Sequence, residues 1–227
     1  MAAMHPTGNR RSSAATTRLR PPRQARSQAS QERVLDALAL MLAKQPFEAI
    51  TMAELARRAG VAVTSIYARF EDKRALVLAL HERHVEETKE LTDTLLDPER
   101  WRGADLETIV RGVIAQFVGR QQARAPLLRT VLLVNDRDVE RRVAHLMEHG
   151  SERLAALLRS HLRGASADVR SRQRWCDRRV DFAFRAVVAV LQQQLLFPTT
   201  QPGRFRFTDK ELTRRLGDLF LALVRPT

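Results

Sequence analysis

The chain has 227 residues and a formal net charge of +13 at neutral pH, with 44% apolar but only 5% aromatic residues. That length holds one large domain or two modest ones, and nine glycines and nine prolines are too few to punctuate many strands, so the composition points to helices. No apolar run approaches the roughly 20 residues needed to cross a bilayer. The single cysteine, Cys176, excludes an intramolecular disulfide and a thiolate metal cluster. With no signal-peptide core at the amino terminus, the expected location is the cytoplasm.

The positive charge is uneven along the chain. Arg10, Arg11, Arg18, Arg20, Arg23 and Arg26 all precede the first acidic residue, Glu32, in a stretch of Ser, Thr, Pro and Ala that cannot bury a core. Residues 1–27 therefore read as a disordered basic arm, able to follow phosphates or enter a minor groove; the plain alternative is an unstructured leader, or translation starting at Met4. Ser27 or Ser30 is then expected to cap a helix carrying Val34, Leu35, Leu38, Met41 and Leu42 on one stripe and ending near Gln45 and Pro46, with Phe47 and Ile50 plugging the junction.

Thr51 opens a capping box whose reciprocal partner is Glu54, and Gly60, which tolerates positive φ, stops the helix that follows. Val61 to Phe70 forms the next element. Ile66 and Phe70, four apart, are its buried pair, which turns Thr64, Ser65, Tyr67 and Arg69 outward. Two short helices at this spacing form a helix-turn-helix whose outer face suits DNA.

Asp72 is expected to cap a long helix from Lys73, with Leu76, Leu80, Glu87, Leu91 and Leu95 near one line, ended by Asp97 and Pro98. It joins two modules with a break near residue 80, giving a reading domain over 28–80 and a helical domain over 81–227. Helical periodicity continues from Leu106 to Leu162, and Gly164 with its Ala-Ser-Ala run marks a loop. Beyond it, Phe184, Val187, Leu191 and Leu195 form one seam and Leu212, Leu216, Leu219 and Leu223 another, separated by Pro198, Pro202 and Gly203. The two seams either build a four-helix bundle with a twofold partner or close the core of a single chain.

From Phe47 to Leu80 the chain resembles the DNA-binding domain of the tetracycline-repressor (TetR) family of bacterial transcriptional regulators. The resemblance rests on Ala59-Gly60-Val61, on Ile66-Tyr67, and on Phe70-Glu71-Asp72-Lys73-Arg74-Ala75-Leu76. It implies an all-α homodimer, with an amino-terminal three-helix DNA reader and a carboxy-terminal helical domain that binds a small effector and dimerises through its last two helices. It also implies that Thr51 meets a phosphate, that Val63, Thr64 and Ser65 face base edges, and that Tyr67 and Lys73 grip the backbone. Arg69, on the same outward face, has the chemistry to take a phosphate or a guanine. The chain departs from the family pattern at Ala62, where Ser or Thr is usual, and at Thr64, where Gly is usual. Ala62 cannot cap, which puts one backbone contact in doubt, and Thr64 adds a hydroxyl and a methyl to the reading surface.

Enzyme chemistry is poorly supplied. His81 with His84, and His145 with His149, have helical spacing, but no third metal ligand follows at a telling distance. Cys176 lacks a nearby histidine in sequence and reads as a small apolar filler. No phosphate loop, nucleophile elbow or cofactor fingerprint is present, and no cofactor is expected. Trp101, Phe117, Met147, Trp175 and Phe182 are the candidates for lining an effector pocket, each with an equal claim to be core. The expected function is a homodimeric repressor released from a near-palindromic operator by a small molecule; the alternative is a ligand-independent or architectural DNA binder.

Overall fold

In the computed structural model of the protein, residues 23–134, 136–162, 168–197 and 203–225 are described. All regular structure among them is helical: α1 (Arg23–Leu42), α2 (Met52–Ala59), α3 (Val63–Tyr67), α4 (Lys73–Leu95), α5 (Leu106–Ala123), α6 (Ala125–Val134), α7 (Arg137–Leu158), α8 (Val169–Leu196) and α9 (Asp209–Val224), with short 3-10 turns at Phe47–Ala49 and Pro98–Trp101. The fold is all-α, as expected. No helix among the described residues is long and apolar enough to cross a membrane.

Most helix starts follow the local chemistry of the sequence. Thr51 Oγ1 accepts from the Glu54 N–H at 3.2 Å, Asp72 accepts from Ala75 N–H at 2.7 Å, Asp105 from Thr108 N–H at 2.8 Å, and Asp168 from Ser171 N–H at 2.7 Å. Each bond satisfies one of the donors that a first turn leaves without a partner, worth about 1 kcal/mol. Gly60 ends α2 with φ at 64°, the left-handed geometry that side chains resist. The reciprocal half of the capping box does not form, because the Glu54 carboxylate accepts instead from Gln45 Nε2 at 3.4 Å.

One boundary differs from expectation. Helix α1 already runs from Arg23, so residues 23–27 are helical rather than part of the arm, and Ser27 and Ser30 lie inside the helix and cannot cap it. The sequence held the stronger signal at positions 21 and 22, two prolines, which suit a helix entry and not its interior. The remainder of the expected arm, residues 1–22, lies outside the described residues, as do Gly164, Pro198 and Pro202.

Two apolar clusters hold the helices together. Leu35, Leu38, Leu55, Ile66, Leu76 and Leu80 are buried in the amino-terminal one, which also takes in Leu127 and Val131 of α6 and Val139 of α7. Ile109, Ile114, Leu158, Val180, Val187 and Phe220 belong to the other, built from α5, α7, α8 and α9. At about 1.5–3 kcal/mol for each fully buried large apolar side chain, these clusters dominate stability. The first three helices are thus not an isolated bundle. Helix α4 enters the amino-terminal cluster through Leu76, Val77 and Leu80, and α6 and α7 pack on it from the other side. Asp136, which caps α7 by accepting from Asp138 N–H at 2.8 Å, also pairs with Arg74 of α4 at 3.0 Å. Leu91, expected on the apolar line of α4, faces outward instead.

Candidate nucleic-acid interface and the cavity beside it

Helix α3 is held from beneath and presented above. Ile66 and Phe70 are buried, and the helical turn continues past Tyr67 through Ala68 N–H to Thr64 O at 3.0 Å and Phe70 N–H to Ile66 O at 2.9 Å. That anchoring leaves Val63 36% and Tyr67 53% exposed, with Thr64 exposed and Ser65 half-buried beside them. Ala62 makes no side-chain cap, so the first turn of α3 is closed only by Ser65 N–H to Ala62 O at 2.9 Å. The free N–H groups there remain open to an external acceptor such as a phosphate oxygen. Thr51 is exposed at the start of α2, and its Oγ1 serves the Glu54 N–H.

Two of the expected DNA contacts are already engaged by the chain. Lys73 Nζ donates to Glu48 O at 3.1 Å and sits 4.4 Å from the centre of the Phe47 ring. Desolvation lowers its pKa, and the Glu48 carboxylate pulls the other way. Arg69 Nη2 donates to Ser27 Oγ at 2.6 Å, and Nη1 reaches Ser30 Oγ and Ser65 O, each at 3.5 Å. The guanidinium therefore stitches the end of the recognition segment to α1. Sequence reasoning gave these two serines to a helix cap and missed this use, because nothing local pairs residue 27 with residue 69.

Beyond the reading face, α4 borders a partly open cavity of about 150 Å³. Its lining on α4 runs from His81 through Thr88 and Thr92 to Leu95, a span of about 21 Å at the helical rise. Phe117 of α5 and Met147 of α7, both expected to line a pocket, lie on its wall. The other three candidates do not. Trp101 packs against Gly112 and donates from Nε1 to Leu95 O at 2.7 Å; Trp175 lies under Arg179, 4.9 Å from ring centre to guanidinium carbon; Phe182 is 62% exposed on the outer side of α8. Aromatic character alone could not tell wall from core from surface.

The histidines were the missed signal. His81 is buried, lines the cavity, and its Nδ1 has no hydrogen-bond partner. Burial, aided by the Arg142 charge, lowers its pKa to about 4. His84 is likewise lowered to about 4 by burial, with Arg124 and His81 contributing. Both imidazoles are neutral at pH 7. A buried donor or acceptor left without a partner costs about 1–3 kcal/mol, which is tolerated most readily where another molecule completes it. His149 instead pairs with Asp93 at 2.9 Å, and His145 stands exposed near Glu148. Among the described residues no three His, Cys, Asp or Glu side chains gather to hold a metal. Cys176 is buried and its thiol is pushed up to about 11 by desolvation and the neighbouring Asp177.

The seams expected at a dimer interface face inward. Val187, Leu191, Leu195, Leu212 and Leu216 are buried in this chain's own core, Phe184 packs against it at 5.5 Å from Phe117, and Leu223 is half-buried, while Leu219 is 37% exposed. The outward side of α8 carries Arg178, Phe182, Arg185, Ala189 and Leu196, and that of α9 carries Arg215, Leu219 and Ala222.

Comparison with known proteins agrees with this geometry. A transcriptional regulator from Cytophaga hutchinsonii has a similar crystal structure, with a TM-score of 0.65 at 14% identity over 85% of this chain and 95% of that one. PfmR, a TetR-family transcriptional regulator from Thermus thermophilus, gives 0.55 at 19% identity over 84% and 97%. A TetR-family transcriptional regulator from Streptomyces coelicolor gives 0.53 at 22% identity over 87% and 96%. At these identities the likeness concerns the fold. No curated protein sequence matches the chain. The family model for bacterial regulatory proteins of the tetR family matches residues 34–80, the segment that holds α2, α3 and the buried start of α4. Over that segment the chain matches the tetR family of bacterial regulatory proteins.

Proposed function

We propose that the protein is a homodimeric repressor that reads a near-palindromic operator through α3 and is released by a small molecule bound in the cavity beside α4. The carrying observation is α4 itself: Leu76, Val77 and Leu80 fasten the helix to the DNA-reading cluster, while His81, Thr88 and Leu95 of the same helix line the cavity. A ligand that shifts α4 therefore acts directly on the spacing of two recognition helices, which a dimer must hold about 34 to 36 Å apart or at a multiple of a turn. Val63, Thr64 and Ser65 face base edges, and Tyr67, Thr51 and the open first turn of α3 take phosphates. Lys73, held against Phe47 and Glu48, has less freedom for that role, and Arg69 acts by positioning α3 on α1.

The reading domain, extended to include all of α1, and the helical domain from residue 81 share α4 and the α6 contacts. The partner packs on the outward side of α8 and α9, where Phe182, Ala189, Leu196, Leu219 and Ala222 are accessible. Such a regulator works in the cytoplasm, at its operator. Ligand and DNA favour different separations, so each lowers the affinity of the other by the same factor.

The test is retention of genomic fragments by the purified protein at about 150 mM salt, near physiological screening. Enrichment of one short near-palindrome supports the proposal. Diffuse enrichment with a steep salt dependence points to an architectural DNA binder, and loss of retention refutes a DNA-reading role.

A further inference from the structure

The cavity beside α4 has a wall without charge. Apolar side chains of α4 to α8, among them Leu95, Ile114, Phe117, Leu132, Met147 and Phe184, make up most of it. Of the described residues that line it, none is Asp, Glu, Lys or Arg. Its polar members come from three helices and are not gathered at one end: His81, His84, Thr88 and Thr92 of α4, Gln121 of α5 and Gln192 of α8.

These polar groups are neutral, and several are already used. Burial holds both imidazoles far below their ordinary range, at about 4. Thr88 donates to His84 O and Thr92 to Thr88 O, each at 2.7 Å, so the hydroxyl protons stay on their own helix. Arg124, whose charge acts on His84, is paired with Glu87 at 3.2 Å, and neither it nor Arg142 is part of the wall. A charged molecule entering this space gives up its hydration and meets no counter-charge. An uncharged one loses little water and gains apolar contact, and the glutamine amides can meet a neutral donor or acceptor.

Size narrows the class further. A space of about 150 Å³ is of the kind that holds one benzene-like ring, and it lies below the roughly 300–1,000 Å³ of sites for drug-sized ligands.

We propose that the cavity selects a small, uncharged, largely apolar molecule, about one aromatic ring with a short neutral polar substituent, and excludes acids and amines of the same shape. This deepens the effector reading above and rests on the cavity being the effector site. Val131 and Val139 line the cavity and also belong to the amino-terminal cluster, so a molecule that fills the space presses on side chains shared with the DNA reader.

The test is calorimetric titration of the full-length protein, without DNA, with two pairs of probes matched in shape: benzamide against benzoate, and benzyl alcohol against benzylamine. At neutral pH the second member of each pair is charged. The neutral member is expected to bind more tightly by roughly ten-fold or more. Gln192→Lys and Gln121→Lys each bring a cation to the wall, from α8 and from α5. In whichever variant keeps the parent's circular dichroism, benzoate should gain roughly ten-fold or more while benzyl alcohol changes little. The pair comparison on the parent protein needs neither variant. Benzoate or benzylamine binding as tightly as its neutral counterpart, no binding by any probe, or a benzoate affinity indifferent to the added lysine overturns the assignment. Operator retention is measured separately on the same preparation. A protein that retains its operator but ignores the neutral probes loses only this inference, and one that binds them as described but retains no DNA loses only the regulatory reading.

Discussion

Arg69 Nη2 donates to the Ser27 hydroxyl at 2.6 Å, joining the end of the recognition segment to the first helix across 42 positions of sequence. A charge-assisted bond of this kind contributes about 1.5–3 kcal/mol. Partial exposure of the arginine puts the expected value at the low end. Arg69→Ala should therefore destabilise the protein by about 1 kcal/mol, and Ser27→Ala by less. In urea denaturation the double variant should be scarcely worse than Arg69→Ala alone; fully additive losses would show that the two side chains act independently.

Tyr67 and Lys73 separate binding from folding to different degrees. The Tyr67 ring is 53% exposed and its hydroxyl serves no described group, so Tyr67→Phe should leave thermal stability unchanged and weaken operator binding. Lys73→Ala removes the hydrogen bond to Glu48 O and the contact with the Phe47 ring, and should lower stability by about 0.5–1.5 kcal/mol. If Lys73 also reaches a phosphate, the slope of log affinity against log salt becomes shallower by about 0.9. An unchanged slope with lowered stability would make Lys73 a purely structural residue.

Gly112 and Gly119 lie on the same helix, yet the same substitution should move them in opposite directions. A methyl group at Gly112 would collide with Trp101 Cη2 and stand 2.9 Å from Cζ3, and that ring is pinned by its hydrogen bond to Leu95 O. At Gly119 nothing lies within 4 Å. Helix propensity favours alanine by about 1 kcal/mol at either position. Overpacking against a fixed ring outweighs that, so Gly112→Ala should destabilise by about 1–3 kcal/mol and Gly119→Ala should stabilise by up to about 1. Thermal unfolding of the two variants checks the contrast, and a stabilised Gly112→Ala would mean that the Trp101 ring is free to move.

How far the sequence alone reaches is visible in these residues. Thr51, Gly60 and Asp72 act within three or four positions of themselves, and their caps and stops were legible for that reason. Ile66 and Phe70 were identified as buried from spacing alone, which leaves Tyr67 and Thr64 outside by geometry. What spacing cannot decide is which neighbour an apolar face meets. Leu191 and Leu216 have the periodicity of a seam, and the identical pattern serves a partner's helix or the chain's own core. The cavity was invisible for a related reason. It is a gap among five helices, α4 to α8, and the burial of its informative residue, His81, appears only when those helices are packed together. Arg69 and Ser27 are the same kind of failure at longer range.

The two neutral histidines make stability depend on pH. Both have folded-state pKa values near 4, depressed below the ordinary value of 6.5, chiefly by burial. The unfolded chain therefore binds protons first as pH falls, and the stability these groups confer is complete above pH 6.5 and lost progressively toward pH 4. The upper limit is about 3 kcal/mol for each, and less for the pair because the two sites interact. Replacing His81 and His84 by Asn and Gln should flatten the stability curve across that window in urea titrations. A curve as steep as the parent's would assign acid lability to other groups.

Outward and inward residues of α8 distinguish the partner surface from the core. Phe182 is 62% exposed in the single chain, whereas Leu191 of the same helix is 4% exposed. Phe182→Glu and Leu219→Glu together should therefore yield a folded monomer, seen by light scattering at unchanged helix content, that retains the operator far more weakly than the parent. Leu191→Glu places a carboxylate in the carboxy-terminal core and should lower the melting temperature steeply, with any loss of dimer following from unfolding. A stable dimer in the Phe182 and Leu219 double variant would move the interface off the outward face of α8 and α9. A folded monomer from Leu191→Glu would mean that the inward seam opens to receive a partner, a rearrangement that requires the Val187 and Leu216 packing to come apart first.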